Sequence, residues 1–202
     1  MSLSQEELLR SQILQTAQQL YQHHGIKKVT MDDVAKAVGK TRSALYYYFK
    51  NRDELFEAVM FSLVEEVKND LEGVMNREKE LESKIHAFCF AKVKGVKKTR
   101  NFIAAIESGL DKDDLSKFSG VMWKVHQKMM QAETALLKHV IQHAVAIREI
   151  PEPAADTLDT LLFVLLSSIR GIRRESVIEG YTNQWKNGVT MLTKFVVREL
   201  GV

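Results

Sequence analysis

The chain holds a single cysteine, Cys89, two prolines and ten glycines in 202 residues. One thiol cannot form an intramolecular bridge, which excludes a disulfide scaffold and makes a reducing cytoplasm the expected setting. So little proline and glycine excludes collagen-like and low-complexity chains. Long apolar runs are missing as well. The longest, residues 161–166, is followed by two serines and ends far short of the ~20 apolar residues of a membrane span. The first residues, Met-Ser-Leu-Ser-Gln-Glu-Glu, place acids where a secretory signal needs a basic and then an apolar region, so neither export nor membrane insertion is expected.

A strong excess of one charge is also absent, the net being +3, but the charge is unevenly spread. Residues 1–52 carry eight Lys/Arg against four acids, and the remaining 150 residues carry 21 against 22. A small cationic module attached to a near-neutral body suits a protein that meets a polyanion.

Apolar residues recur at intervals of three and four rather than two, which predicts an all-α protein of about nine helices. A first helix is expected over residues 4–24, with Leu9, Ile13, Ala17 and Leu20 on one stripe and Gly25 as its C-terminal cap. A second opens at Thr30, with Asp33 completing a T-x-x-D capping box, and stops at Gly39. A third runs over residues 41–49. A fourth opens at Asn51, with Glu54 three residues on, and keeps Leu55, Val59, Leu63, Val67, Leu71 and Met75 at intervals of four, as a rod between two parts would. Further helices are expected at about residues 81–97, 100–110, 116–147, 154–179 and 183–200. The breaks fall at Gly109 with the acidic turn of Asp111, Asp113 and Asp114, at Pro151 and Pro153, and at Gly180. This reading gives an N-terminal three-helix domain, 1–50, and a larger helical bundle, 51–202.

Residues 30–52, TMDDVAKAVGKTRSALYYYFKNR, suit a helix-turn-helix. Ala35 permits a close crossing, Gly39 accepts positive φ in the turn, and Val34, Val38, Leu45 and Phe49 supply the inner faces. Lys40, Thr41, Arg42, Ser43, Tyr46, Tyr47 and Lys50 remain outside, and such cations, phenols and hydroxyls donate to phosphate oxygens and reach base edges. The same pattern also fits a solvated amphipathic helix with half-buried tyrosines.

The stretch TMDDVAKAVGKTRSALYYYFKNRDELF, together with the helix before it, resembles the N-terminal domain of the TetR family of bacterial transcriptional regulators. The pattern T-x-x-[DE]-[IV]-A-x-x-[AV]-G-x-[ST]-x-x-[ASTG]-[LIF]-Y-x-[HY]-F-x-[NS]-[KR]-[DE]-x-L is met from Thr30 to Leu55. The resemblance covers residues 8–60. It implies that Thr30, Tyr48, Lys50 and Arg52 contact phosphates and that Thr41, Arg42, Ser43, Tyr46 and Tyr47 sit in or beside the groove. Tyr48 stands where many members have histidine.

The resemblance further implies a homodimer on double-stranded DNA, a C-terminal bundle that both pairs subunits and encloses a small-molecule effector, and no enzymatic activity. For the dimer face the expected residues are Leu158, Leu162, Leu165, Ile169, Leu192 and Phe195, stripes that could equally close a monomer's core. For a pocket lining they are Phe88, Phe90, Phe102, Met122, Trp123, Met129 and Phe163, each of which is also ordinary core material. Scarce convergent charge in this part of the sequence points to a mainly apolar effector.

Catalytic and metal signatures do not assemble. His139 and His143 lie one turn apart, without the following Glu of H-E-x-x-H or a third ligand. The acidic turn lacks the glycine and distal glutamate of a calcium loop. No phosphate-binding glycine loop or nucleophile elbow is present, and neither metal nor cofactor is expected. A helical-bundle enzyme or a protein-binding adaptor with a basic appendage is the alternative reading.

Overall fold

Local capping decides where the first four helices begin. In the structure, a computed structural model describing residues 4–95, 97–107, 110, 112–178 and 184–201, Ser4 opens α1 (Gln5–His24). Its hydroxyl accepts from the Glu7 N–H at 3.2 Å while the Glu7 carboxylate accepts from the Ser4 N–H at 2.8 Å, satisfying two amides that the helix cannot. Thr30 and Asp33 repeat the device at α2 (Met31–Val38), which Gly39 ends in the left-handed conformation at φ 71°. Thr41 caps α3 (Arg42–Tyr48) by accepting from the Ala44 N–H at 3.2 Å, and Asn51 accepts from the Glu54 N–H at 2.8 Å at the start of α4 (Arg52–Met75). There follow α5 (Leu81–Lys94), α6 (Lys97–Glu107), α7 (Lys112–Ala146), α8 (Ala155–Glu175) and α9 (Trp185–Glu199). The described residues are all-α, with nine helices.

Several boundaries differ from the sequence expectation. α5 stops at Lys94, because Gly95 turns to φ 67° and its N–H closes on the Ala91 carbonyl. α7 begins at Lys112, so residues 113–114 continue a helix where a turn was expected. α8 ends at Glu175. Gly109, Asp111, Gly180 and Asn183 lie outside the described residues. In α1 the buried face is Ile13, Leu14, Ala17, Gln18 and Tyr21, with Leu9 and Leu20 at its margins. The Asn187-Gly188 pair, a hairpin signal between alternating residues, lies inside α9.

The chain forms two compact units, Met1–Glu65 with Lys97–Lys128 and Glu66–Val96 with Met129–Val202. In the first, α1 packs on α2 and α6, and α2 on α3. Its core holds Ile13, Tyr21, Val34, Ala35, Leu45, Phe49, Leu55, Val59 and Phe102. Tyr21 meets Phe56 edge-on at 5.7 Å, and Phe56 meets Phe118 at 6.2 Å. Burying a large apolar side chain of this kind contributes ~1.5–3 kcal/mol. In the second unit α5, α8 and α9 pack on one another around Ile85, Phe88, Cys89, Leu137, Leu165, Ile169, Val189 and Val196. Helices α4 and α7 supply residues to both units. No described helix is long and apolar enough to cross a membrane.

Candidate nucleic-acid interface

Helix α3 is seven residues long and buries Leu45, which with Phe49 behind it anchors the helix to the core of the first unit. The opposite side is open. Thr30, Lys40, Thr41, Arg42, Ser43, Tyr46, Tyr47, Lys50 and Arg52 are all exposed, and Tyr48 is half-buried. Arg42 and Tyr46 stand one turn apart, as do Ser43 and Tyr47, so each pair shares a face. Tyr47 is 75% exposed, so its ring and hydroxyl are open to a partner.

The guanidinium of Arg42 is held in place. It donates from Nη1 to Asp32 Oδ2 at 3.3 Å and from Nη2 to Tyr46 Oη at 3.4 Å, and it lies over the Tyr46 ring at 5.3 Å. The bond to Tyr46 and the charge of Asp32 raise its pKa further above its ordinary value. Neighbouring rings are ordered too: Tyr47 and Tyr48 meet edge-on at 5.2 Å, and partial burial and the charge of Glu6 push the Tyr48 phenol up. A phenol so shifted stays a neutral donor at physiological pH.

Other groups are partly committed. The Thr30 hydroxyl donates to Asp33 Oδ2 at 2.7 Å and accepts from the Asp33 N–H, so its one proton is already placed. The Thr30 hydroxyl and the Thr30 N–H, which donates to the same oxygen at 2.9 Å, hold the Asp33 carboxyl below its usual range. Arg52 reaches back to the Lys27 carbonyl at 3.4 Å and ties the start of α4 to the turn after α1. Arg10 lies over the Phe49 ring at 5.4 Å. The ammonium groups of Lys40 and Lys50 meet no acid among the described residues. The surface is therefore a row of donors, cations and phenols on one short helix, facing outward from a rigid, capped support, which is what contacts to phosphates and base edges require. Sequence reasoning assigned no role to Asp32 beside the capping Asp33, while the fold brings it against Arg42 of α3.

The other predicted residues scatter. Phe102, Met122 and Trp123 belong to the first unit, and Phe88, Phe90, Met129 and Phe163 to the second. Phe88 and Phe102 are fully buried, and Met122, Met129 and Phe90 are half-buried. Trp123 and Phe163 are 63% and 64% exposed, on outward faces of α7 and α8. Of the expected dimer residues, Leu162, Leu165 and Ile169 lie in the core of their own unit, Leu158 and Leu192 are half-buried beside it, and Phe195 is exposed. Phe163, Val164 and Met191 are exposed on the same two helices. His139 and His143 are exposed on α7, and among the described residues no group of three or more His, Cys, Asp or Glu is placed to hold a metal. Cys89 is buried against Thr193, and burial pushes its thiol up to about 12.

Polar groups inside the second unit had no signal in the sequence. Lys92 of α5 and Glu133 of α7 form a buried ion pair, and Arg170 of α8 meets Met130 Sδ of α7 and Ser167 Oγ. Their spacing along the chain hides a convergence that only packing creates.

Residues 13–59 match the family described as bacterial regulatory proteins, tetR family. The HTH-type transcriptional regulator SrpR of Pseudomonas putida is 27% identical over 151 residues, 73% of this chain and 66% of its own length. The chain thus spans just under two thirds of that relative. Among solved structures, a TetR transcription regulator from Haloarcula marismortui superposes with a TM-score of 0.57 at 15% identity, covering 96% of this chain and 97% of its own. The SmeT–triclosan complex superposes with a TM-score of 0.54 at 17% identity, covering 95% and 90%. These last two likenesses are of fold.

Proposed function

We propose that the chain, whose residues 13–59 match the TetR family of bacterial regulatory proteins, is a ligand-responsive DNA-binding transcriptional repressor that holds a palindromic operator as a homodimer. Residues 1–50 act as the DNA-binding domain and 51–202 as the ligand-binding and dimerisation domain. The observation that carries this reading is the exposed row of Arg42, Ser43, Tyr46 and Tyr47 on α3, inside the segment that the family match covers. Arg42 and the tyrosines reach bases. Thr41 and Ser43 work at the groove edge, and Lys40, Lys50 and Arg52 hold phosphates. Tyr48 contacts the backbone beside them, as does Thr30 when its hydroxyl turns from Asp33 to a phosphate oxygen.

One short helix makes too few contacts for specific binding, so a twofold pair reads half-sites about one turn, ~34 Å, apart. Phe195 lies on the partner-facing side of α9. Leu162, Leu165 and Ile169 are already spent on the core of their own unit, so Phe163 and Met191 accompany Phe195 there. SmeT, which shares the fold, is solved with triclosan, in keeping with a small-molecule effector of mainly apolar character. Effector binding is felt at α3 through α4 and α7, the helices that supply residues to both units, with a coupling of ~1–3 kcal/mol.

Selection of genomic fragments by the purified protein tests the reading. The expected product is a small set of fragments sharing a palindrome, lost with Arg42→Ala. Recovery of bulk DNA without a shared sequence, from protein shown by mass spectrometry to carry no bound small molecule, would refute it.

A further inference from the structure

Arg170 lies on α8 at the edge of the second unit's core, half-buried. Its guanidinium meets a thioether, Met130 Sδ on α7, and donates at 3.0 Å to a hydroxyl, Ser167 Oγ on its own helix. Neither carries charge, and among the described residues no carboxylate lies within ion-pair reach of it. A cation removed from water without a counter-charge is costly. The same unit shows how the problem is solved when an acid is at hand: Lys92 is paired with Glu133, both buried.

These two features adjoin. Met130 and Glu133 are three residues apart on α7 and share a face. Arg170 from α8 and Lys92 from α5 therefore approach neighbouring turns of one helix, with one carboxylate for two cations. Arg173, one turn beyond Arg170, is exposed, and its Nη2 lies 3.3 Å from where a Cβ on Gly95 would stand. Leu166 and Ile169, within one turn of Arg170 on α8, belong to the apolar core of this unit, and Met130 packs against that core.

We propose that Arg170 is the anchor of an effector site in the second unit, which takes a small molecule with an apolar body and one carboxylate. A guanidinium offers two parallel N–H groups that match a carboxylate. With Lys92 matched by Glu133 and Arg173 exposed to water, the single half-buried charge of Arg170 fits one negative charge better than the nearly two that a phosphate monoester brings. This rests on the reading of the chain as a ligand-responsive regulator and narrows its effector from mainly apolar to amphipathic and anionic.

The test is calorimetric titration of the full-length protein with matched pairs, octanoate against octanol and benzoate against benzyl alcohol, alongside operator binding and thermal melting. In the wild type at least one acid is expected to bind about tenfold or more tighter than its alcohol. Arg170→Met should abolish the preference while operator affinity persists and the unliganded protein melts no lower than wild type, which a merely structural arginine would not allow. Arg170→Lys, which keeps the charge and loses the fork, should retain part of the preference and serves if the Met variant does not fold. Acids binding no tighter than their alcohols across the set, or a preference that survives in Arg170→Met, would overturn the assignment. If the protein still binds operator in that event, the regulator reading stands; failure to bind any operator would fault that reading instead.

Discussion

Arg42 is tethered before any DNA arrives. Its bonds to Asp32 and Tyr46 fix a side chain that would otherwise sample many rotamers, and Asp32 competes with phosphate for the same guanidinium. Asp32→Asn is therefore expected to raise affinity for DNA by about twofold to fivefold, whereas Arg42→Ala lowers it by about tenfold or more; fluorescence anisotropy with a labelled duplex measures both. A weaker Asp32→Asn complex would mean that the acid orients Arg42 rather than competes for it. Cys89 gives a second residue-scale prediction. With the thiol buried and its pKa pushed up to about 12, the thiolate is scarce at neutral pH, and maleimide should label it only as fast as the protein unfolds. The arginine and tyrosines were legible in the sequence because they sit within two turns of one short helix. Asp32 as a partner was not, since a ten-residue separation across a turn becomes a contact only when α2 and α3 cross.

At the scale of elements, caps carry the N-terminal unit. Thr41→Ala removes the hydroxyl that holds the Ala44 N–H and should cost about 1 kcal/mol of stability, with Thr41→Ser near neutral; denaturant unfolding decides. Asp33 adds a pH dependence. Its carboxyl is held below the ordinary value of 3.8 by the Thr30 hydroxyl and amide. Because the folded value is depressed, this stabilisation is complete above the unfolded value and is lost as pH falls through the folded one. The Tm difference between wild type and Thr30→Val should stay level from neutral pH to about pH 5 and narrow below 3.8. A difference that persists into strong acid would show that the carboxylate adds nothing to the cap. Caps are legible because their partners are three residues apart in sequence. Helix ends set elsewhere were less so: α5 ends at Gly95 because its backbone turns left-handed there, although the apolar pattern carries on.

For the whole molecule, the apolar run at residues 161–166 explains both what the sequence revealed and what it hid. A helix apolar all round has an inner and an outer face that composition cannot tell apart. Packing puts Leu162, Leu165 and Leu166 inside and leaves Phe163 and Val164 outside. Phe195→Glu or Met191→Glu should therefore convert the proposed dimer to monomer in analytical ultracentrifugation with little loss of helicity, while Leu165→Glu should unfold the second unit. A dimer that survives both outward substitutions would place the interface elsewhere. The pairing of Lys92 with Glu133 and the setting of Arg170 were hidden for the same reason as Asp32, because side chains 40 residues apart or more in the chain meet only once three helices have packed.

The central claim is that α3 reads DNA with its exposed row. Affinity of the purified protein for its selected palindrome and for a scrambled duplex, followed across a salt series for wild type and Arg42→Ala, tests it most directly. The account predicts that both duplexes weaken steeply with salt as counterions return to the phosphates, that the palindrome keeps a large advantage in the wild type, and that Arg42→Ala erases most of that advantage while leaving scrambled-duplex binding nearly intact. Equal affinity for both duplexes in the wild type, or an advantage untouched by Arg42→Ala, would contradict it.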